Sequence, residues 1–340
     1  MQDRSDIPSA DVRLAALVAW VRSLPGLSGA LLTPASGDAS FRRYFRVQSG
    51  ADSWIAMDAP PGREDVRPFV EIAGYLRSMS LNAPDIVAGD ADRGFLLMTD
   101  LGAKTYLQRL SEDPGAMQSL YADALDALLQ MQSRGGAFQS RLPPYDETLL
   151  RSELALFHDW LCGRHLGIAW RRGDDADWQD VCDLLVDNAL SQPTVFVHRD
   201  YHSRNLMVME RNNPGILDFQ DAVEGPLTYD LVSLLKDCYI RLDTQTIERC
   251  LLDFIDARPT ATAADPARIR RWFDLTGVQR HLKAAGIFAR LLHRDGKAGY
   301  LDDVPQTLAY IVEVAPRYPE LAALQSLIES RCLPALESRA

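Results

Sequence analysis

Near Gly102 the period of the hydrophobic pattern changes, and a chain with that break must build two different kinds of structure. Ahead of it lie short alternating runs separated by Gly, Ser or Asp: GALLTPA (29–35), SFRRYFRVQ (40–48) and DSWIAMDA (52–59), then two more at about 85–88 and 94–99. Alternation over four to eight residues marks a half-buried strand, so this part predicts five short strands. Two helical patterns accompany them. Leu14, Leu17, Val18 and Val21 precede the Pro25-Gly26 break, and Val66, Phe69, Val70, Ala73 and Leu76 follow Pro60-Pro61-Gly62, with Glu71 inside that second pattern. Beyond Gly102 apolar residues recur at helical spacing over 120–131, 147–162, 178–190, 246–255, 269–292 and 307–314. The expectation is an α+β chain of two lobes, a β-rich one over 1–101 with one main helix and a mostly helical one over 102–340. At 340 residues the chain is also near the length at which one core stops growing and domains divide.

Composition narrows the partners. Lys+Arg 36 against Asp+Glu 47 leaves a net charge of −11, so neither a nucleic-acid backbone nor an anionic membrane would be attracted in general, and a phosphate-bearing ligand needs a local site. Five cysteines, widely spaced and without a CxxC pair, point to a reducing cytoplasm rather than a disulfide framework or zinc ribbon. MQDRSDIPSADVR lacks an apolar h-region and no run is long enough to cross a bilayer, so the chain reads as a soluble cytoplasmic protein. No obligatory protein partner is evident. The acidic pair Asp174-Asp175 reads as a solvated loop.

Within the helical part, two apolar strand-like runs, TVFV (194–197) and NLMVM (205–209), are followed across Asn212-Asn213-Pro214-Gly215 by GILDF, a small hairpin in expectation. Asp200 stands in a polar loop after the first run, Asn205 five residues later, and Asp218 at the end of the last. Phosphoryl transfer needs such a set: a carboxylate to orient and deprotonate the attacking hydroxyl, and oxygen ligands to hold Mg²⁺ against the triphosphate of ATP. The order His198-Arg199-Asp200-x4-Asn205, then Asp218-Phe219, is similar to the kinase signature H-R-D-x4-N followed by D-F-G, with Gln220 at the glycine. His198 is read as structural. His198 and His202 have no third ligand nearby that would indicate zinc. Walker A, GxGxxG and GxSxG signatures are absent.

The stretch HRDYHSRNLM…GILDFQDAVEGPLTYDLVSLLKDCY resembles the aminoglycoside phosphotransferase and choline kinase superfamily. Within it the likeness is to bacterial anomeric amino-sugar kinases, which phosphorylate N-acetylmuramate and N-acetylglucosamine in peptidoglycan recycling. SGDASFRRYFRV (36–47), MDAPP (57–61), LLMTDLG (96–102) and QRHLKAAGIFARL (279–291) carry the same resemblance, which spans nearly the whole chain. It implies a bilobal protein-kinase-like fold, Asp200 as catalytic base, and Asn205 and Asp218 as Mg²⁺ ligands. It further implies that Met98, Thr99, Asp100 and Leu101 form the hinge whose backbone meets adenine. Gly37, Asp38, Ala39, Ser40 and Arg42 would form the loop over the phosphates. The third strand departs from kinases, because WIAMDAP offers Met57 and Asp58 where they place a lysine. Either Arg42 or Arg43 supplies the missing charge, or Mg²⁺ carries it alone. Strand neighbours face opposite sides, so at most one of the two arginines points at the nucleotide. Gln220, Asp221 and Glu224 follow the metal aspartate, and the acidic pair Asp221 and Glu224 are candidates to accept hydrogen bonds from sugar hydroxyls or amide N–H groups, while Asp221 could instead cap a loop. Asp230 is expected as a helix N-cap or a partner for Arg199. Arg204 and Arg280 are candidates for an anionic lactyl carboxylate, if the acceptor is a muramic acid.

Overall fold

Alternation in the first hundred residues does produce strands. The computed structural model describes residues 11–37, 41–257 and 265–338. After helix α1 (Val12–Ser23) come β1 (Leu31–Gly37), β2 (Arg43–Ser49), β3 (Asp52–Asp58), helix α2 (Val66–Ser78), β4 (Ile86–Asp90) and β5 (Phe95–Thr99), and the strands form one antiparallel sheet ordered β1-β2-β3-β5-β4. Period two puts Phe45, Val47, Ala56, Phe95 and Leu97 on one face, where they close a core with Leu17, Trp20 and Val21 of α1. Asp11 and Asp65 cap α1 and α2, their side chains accepting the backbone N–H groups of Leu14 and Arg67. α2 buries Phe69, Ile72 and Leu76, while Val70 stays exposed. Residues 209–220 belong to this compact unit together with the chain up to Ala103. A division at 101/102 alone was therefore too simple. The later segment is fastened here by Ile216 N–H to the Asn82 carbonyl (2.7 Å), by Asn82 Nδ2 to the Asn212 carbonyl (3.1 Å) and by Phe219, whose ring lies 4.7 Å from Phe69.

The second unit spans 104–208 and 221–340. Its helices are α3 (Tyr106–Glu112), α4 (Met117–Arg134), α5 (Glu147–Leu156) with a π-helical continuation Phe157–Leu166, and α6 (Asp174–Leu190). Then come β6 (Thr194–Val197), β7 (Leu206–Met207), β8 (Gly215–Ile216) of the first unit, and β9 (Val223–Pro226). After these follow α7 (Tyr229–Leu235), α8 (Thr244–Asp256), α9 (Pro266–Asp295), α10 (Val304–Val314), α11 (Ala322–Leu327) and α12 (Leu333–Glu337). β6 and β9 pair antiparallel with Val197 opposite Val223. The runs expected as strands at 205–209 and from Gly215 shrink to two residues each. Asp174 and Asp175 are not in a loop but in the first turn of α6, where negative charge suits the helix dipole; Asp174 also accepts the Arg171 N–H and pairs with Arg331. α9, of 30 residues, runs through the core formed by Leu150, Leu154, Phe157, Leu282, Ala285 and Ile311 among others. Its contact with α5 is so close that a Cβ on Gly286 would lie 2.5 Å from the Leu156 carbonyl oxygen. Among the described residues no helix is long and apolar enough to cross a membrane.

Candidate active site

β6 ends at Val197 and delivers His198 into a loop held from several sides. Asp230, in the first turn of α7, accepts the N–H of His198 on one carboxylate oxygen (2.6 Å) and that of Arg199 on the other (3.0 Å). It is neither a helix N-cap nor the partner of the Arg199 side chain, because both oxygens are taken by the loop backbone. Arg199 sits at φ +77°, a left-handed conformation that costs a side-chain-bearing residue and persists only when surroundings impose it. Beyond it, the Asp200 N–H donates to His198 Nδ1 (3.2 Å), so His198 does serve the loop's structure. Asn205 Nδ2 donates to the Asp200 carbonyl (3.0 Å), and Asp237 accepts the Ser203 N–H (2.9 Å).

A buried polar network braces the same loop. Arg199 Nη2 meets Glu153 Oε1 at 2.6 Å, and Lys283 Nζ of α9 meets the same oxygen at 2.9 Å. Tyr145 donates its hydroxyl to Glu153 Oε2, Gln279 Nε2 donates to that oxygen (3.2 Å), and Lys283 donates to the Tyr229 hydroxyl (3.0 Å). Two cations around one buried carboxylate leave one positive charge over, and both cations also feel the negative charge of Asp200, which offsets it. Burial alone would raise the Asp200 carboxyl; nearby charges, Lys283 foremost and Arg280 and Arg199 with it, outweigh that and hold it below the usual range. Asp200 is therefore an anion at neutral pH. Glu153, Asp237 and Lys283 escaped the sequence reading. One signal was available for Glu153: it falls between Leu150 and Leu154 on the apolar stripe of α5, a place for a charge only if something pairs with it.

In the first unit Asp218 has φ +60°. Its Oδ1 accepts from Gln220 Nε2 (3.0 Å) and from Arg42 Nη2 (3.3 Å). Glu64 accepts the Phe41 N–H (3.3 Å) and lies 4.0 Å from Arg42 Nε. Arg43 faces the other way. It pairs with Asp11 and, through Nε at 3.0 Å, with the wholly buried Asp58, whose second oxygen takes Arg13 Nε at 2.9 Å. Of the two arginines considered for a nucleotide contact, Arg42 is the one beside Asp218, and Arg43 is spent on Asp58. Gly37 ends β1 opposite Arg43; Asp38, Ala39 and Ser40 lie outside the described residues. Met98 and Thr99 close β5, with the Thr99 N–H donated to the Asp85 carbonyl (3.0 Å). The Asp100 carboxylate is held by Arg46 (2.7 Å), Ser53 and the Gly102 N–H (2.9 Å), and Leu101 is buried. What 98–101 can present to a base is backbone and apolar surface, since the Asp100 carboxylate is occupied. Glu71 is exposed and accepts from Tyr75.

The expected acceptor-site residues separate. Glu224 Oε1 accepts from Gln139 Nε2 (2.7 Å) and Thr194 Oγ1 (3.0 Å), so that oxygen ties β9 to β6 and to the turn at Gln139. Arg280 is buried with 6% exposure, Nη1 lying 3.8 Å from Cys238 Sγ, so it is a cation of the interior and is not open to a carboxylate in solution. Asp221 is exposed, its carbonyl accepting from Arg199 (3.4 Å), and Arg204 is exposed as well. By chemical type the two residues suit a hard cation, since an amide oxygen such as that of Asn205, whose Nδ2 is directed at the Asp200 carbonyl, and a carboxylate such as that of Asp218 are both oxygen donors.

Residues 31–272 match the family model described as phosphotransferase enzyme family. The chain belongs to that family. Over 335 residues this phosphotransferase is 48% identical to the N-acetylmuramate/N-acetylglucosamine kinase of Pseudomonas aeruginosa, covering 95% of this chain and 98% of the relative. It is 47% identical over 335 residues to the protein of the same name from Pseudomonas putida, covering 95% and 97%. Among solved structures it resembles a choline kinase from Streptococcus pneumoniae with a TM-score of 0.64 at 12% identity, over 88% of this chain and 99% of that one. The fold of the phosphotransferase is thus the protein-kinase-like α+β fold that the sequence led us to expect.

Proposed function

We propose that this phosphotransferase moves the γ-phosphoryl group of ATP to the anomeric hydroxyl of N-acetylmuramate and N-acetylglucosamine, yielding sugar 1-phosphates for peptidoglycan recycling in the cytoplasm. The observation that carries this reading is 48% identity along 95% of the chain to a relative named for both sugars. Asp200 acts as base and orienting group. An anomeric hydroxyl is more acidic than other sugar hydroxyls because the ring oxygen withdraws electron density, so a strongly basic partner is not needed, and a carboxylate held ionised by Lys283 suits the task. Asn205 and Asp218 would hold Mg²⁺, whose charge offsets that of the phosphates. Arg42 takes the place of the lysine that β3 lacks, since its guanidinium reaches Asp218 while Arg43 is bound to Asp58. The backbone of Met98 to Leu101 receives adenine, and the segment from Gly37 to Arg42 covers the phosphates. Asp221 remains the acidic candidate for a sugar hydroxyl.

A coupled ADP-release assay over N-acetylmuramate, N-acetylglucosamine, kanamycin and choline, with ³¹P NMR of the product, tests the reading. Turnover of the two sugars to 1-phosphates is expected. Turnover of kanamycin or choline alone would replace the sugar with an aminoglycoside or amino alcohol, and no turnover would leave a nucleotide-binding pseudokinase. In the same assay Asp200→Asn should fold, keep its nucleotide Kd and lose at least about 100-fold in kcat; near-normal kcat would remove Asp200 from the chemistry.

A further inference from the structure

Arg204 follows Asp200 by four positions, and its guanidinium lies over two aromatic rings. Cζ lies 4.4 Å from the centroid of Tyr239 and 5.3 Å from that of Tyr300. The supports are themselves fixed. Asp237 accepts the Ser203 N–H on one oxygen and the Tyr239 N–H on the other, both at 2.9 Å, so a single carboxylate ties the residue before Arg204 to the ring beneath it. Tyr239 meets His202 edge-on with centroids 5.3 Å apart, and Tyr300 stacks on Phe288 at 5.8 Å. A guanidinium resting over fixed rings has already lost part of the rotamer freedom that a flexible cation would lose on binding.

Charge isolates this residue further. Arg199 is matched by Glu153, and Arg280 is shut inside against Cys238. Arg204 is exposed, and although it feels the charge of Asp303, among the described residues no carboxylate oxygen comes within 4.0 Å of it. It is a braced cation four residues along the chain from Asp200, with no carboxylate at ion-pair distance among the described residues. The two proposed acceptors differ at one place, where N-acetylmuramate carries a lactyl ether ending in a carboxylate and N-acetylglucosamine has a hydroxyl.

Resting on the substrate reading above, the geometry points to Arg204 as the specificity residue that receives this lactyl carboxylate in a bidentate pair, so that it favours the acidic sugar over the neutral one. Steady-state kinetics on the full chain test this with wild type, Arg204→Ala and Arg204→Lys on both sugars. The ratio of kcat/KM for N-acetylmuramate to that for N-acetylglucosamine should fall about 10- to 100-fold in the alanine variant, the range of one charge-assisted pair, and by less in the lysine variant, which keeps the charge and loses the fork. Wild type should lose a comparable factor on the lactyl amide of N-acetylmuramate, a comparison that needs no mutant to fold. A ratio within about twofold of wild type, equal losses on both sugars, or an amide used as well as the acid overturns the inference while leaving the proposed function in place. Wild-type protein that turns over neither sugar overturns both.

Discussion

Asp230 and Asp200 are carboxylates of one loop environment pushed in opposite directions. Asp200 is held ionised by the cations around it. Asp230 has no exposure, and burial lifts its carboxyl from 3.8 to about 7 against the pull of the two loop N–H groups that it accepts. The consequence for stability has a definite sign. Below about pH 4 folded and unfolded chains both carry this proton, and between there and about pH 7 only the folded chain does. Rising pH across that interval therefore costs up to about 1.4 kcal/mol of stability per pH unit from this residue. Denaturant titrations at pH 5 and pH 7 check it. Asp230→Asn loses one acceptor and starts less stable, but it should drop by less between the two pH values than wild type does; equal drops would show that Asp230 titrates as an ordinary carboxylate. The candidates Asp200, Asn205 and Asp218 could be proposed by reading the chain because their spacing is local and survives without knowledge of packing. Glu153, Asp237 and Asp230 work through partners 46, 34 and 32 positions away, and no local pattern encodes those meetings.

At the scale of elements, α9 shows how one helix can hold glycines with opposite purposes. At Gly286 an added methyl group would meet the Leu156 carbonyl oxygen at 2.5 Å and the Phe157 nitrogen at 2.5 Å, backbone atoms that cannot step aside. At Gly277 the nearest atom is Lys236 Cδ at 3.6 Å, an ordinary contact. Gly286→Ala should destabilise by about 1–3 kcal/mol as the helices are forced apart, whereas Gly277→Ala should stabilise by up to about 1 kcal/mol through helix propensity. Thermal melts of the two variants decide the matter, and shifts of the same sign would contradict this account of the packing. Elements with one dry and one wet face, such as α2 and α4, were legible because their period is visible. α7 was expected as a helix capped by Asp230, but it starts at Tyr229 with Asp230 inside its first turn; all seven of its residues are buried, which leaves no polar face to mark where it begins. β7 and β8 were overdrawn, as their apolar runs serve burial more than pairing.

Across the whole molecule, all five cysteines, Cys162, Cys182, Cys238, Cys250 and Cys332, are free and buried, and burial pushes the Cys182 thiol up to about 12. A thiol that is both hidden and protonated is a poor nucleophile. Native protein should therefore release almost no thionitrobenzoate from Ellman's reagent during the time in which guanidinium-unfolded protein releases five equivalents; a rapidly reacting thiol in the native state would contradict this. The break in period near Gly102 was visible in the chain, but the return of 209–220 to the first unit was not, because it depends on Asn82 and Phe69 receiving a segment more than a hundred positions later. The supports of Arg204 lie on irregular ground, Tyr239 just past α7 and Tyr300 in the short 3₁₀ turn Ala298–Asp303, while the braces of the loop around Asp200 come from α5, α7, Asp237 and α9, with α5 and α9 pressed together at Gly286. Diet and chemistry can consequently be inherited apart: a library confined to 298–303 should yield variants with new acceptor tastes and an undiminished phosphoryl-transfer step, whereas drift along α9 would extinguish both together.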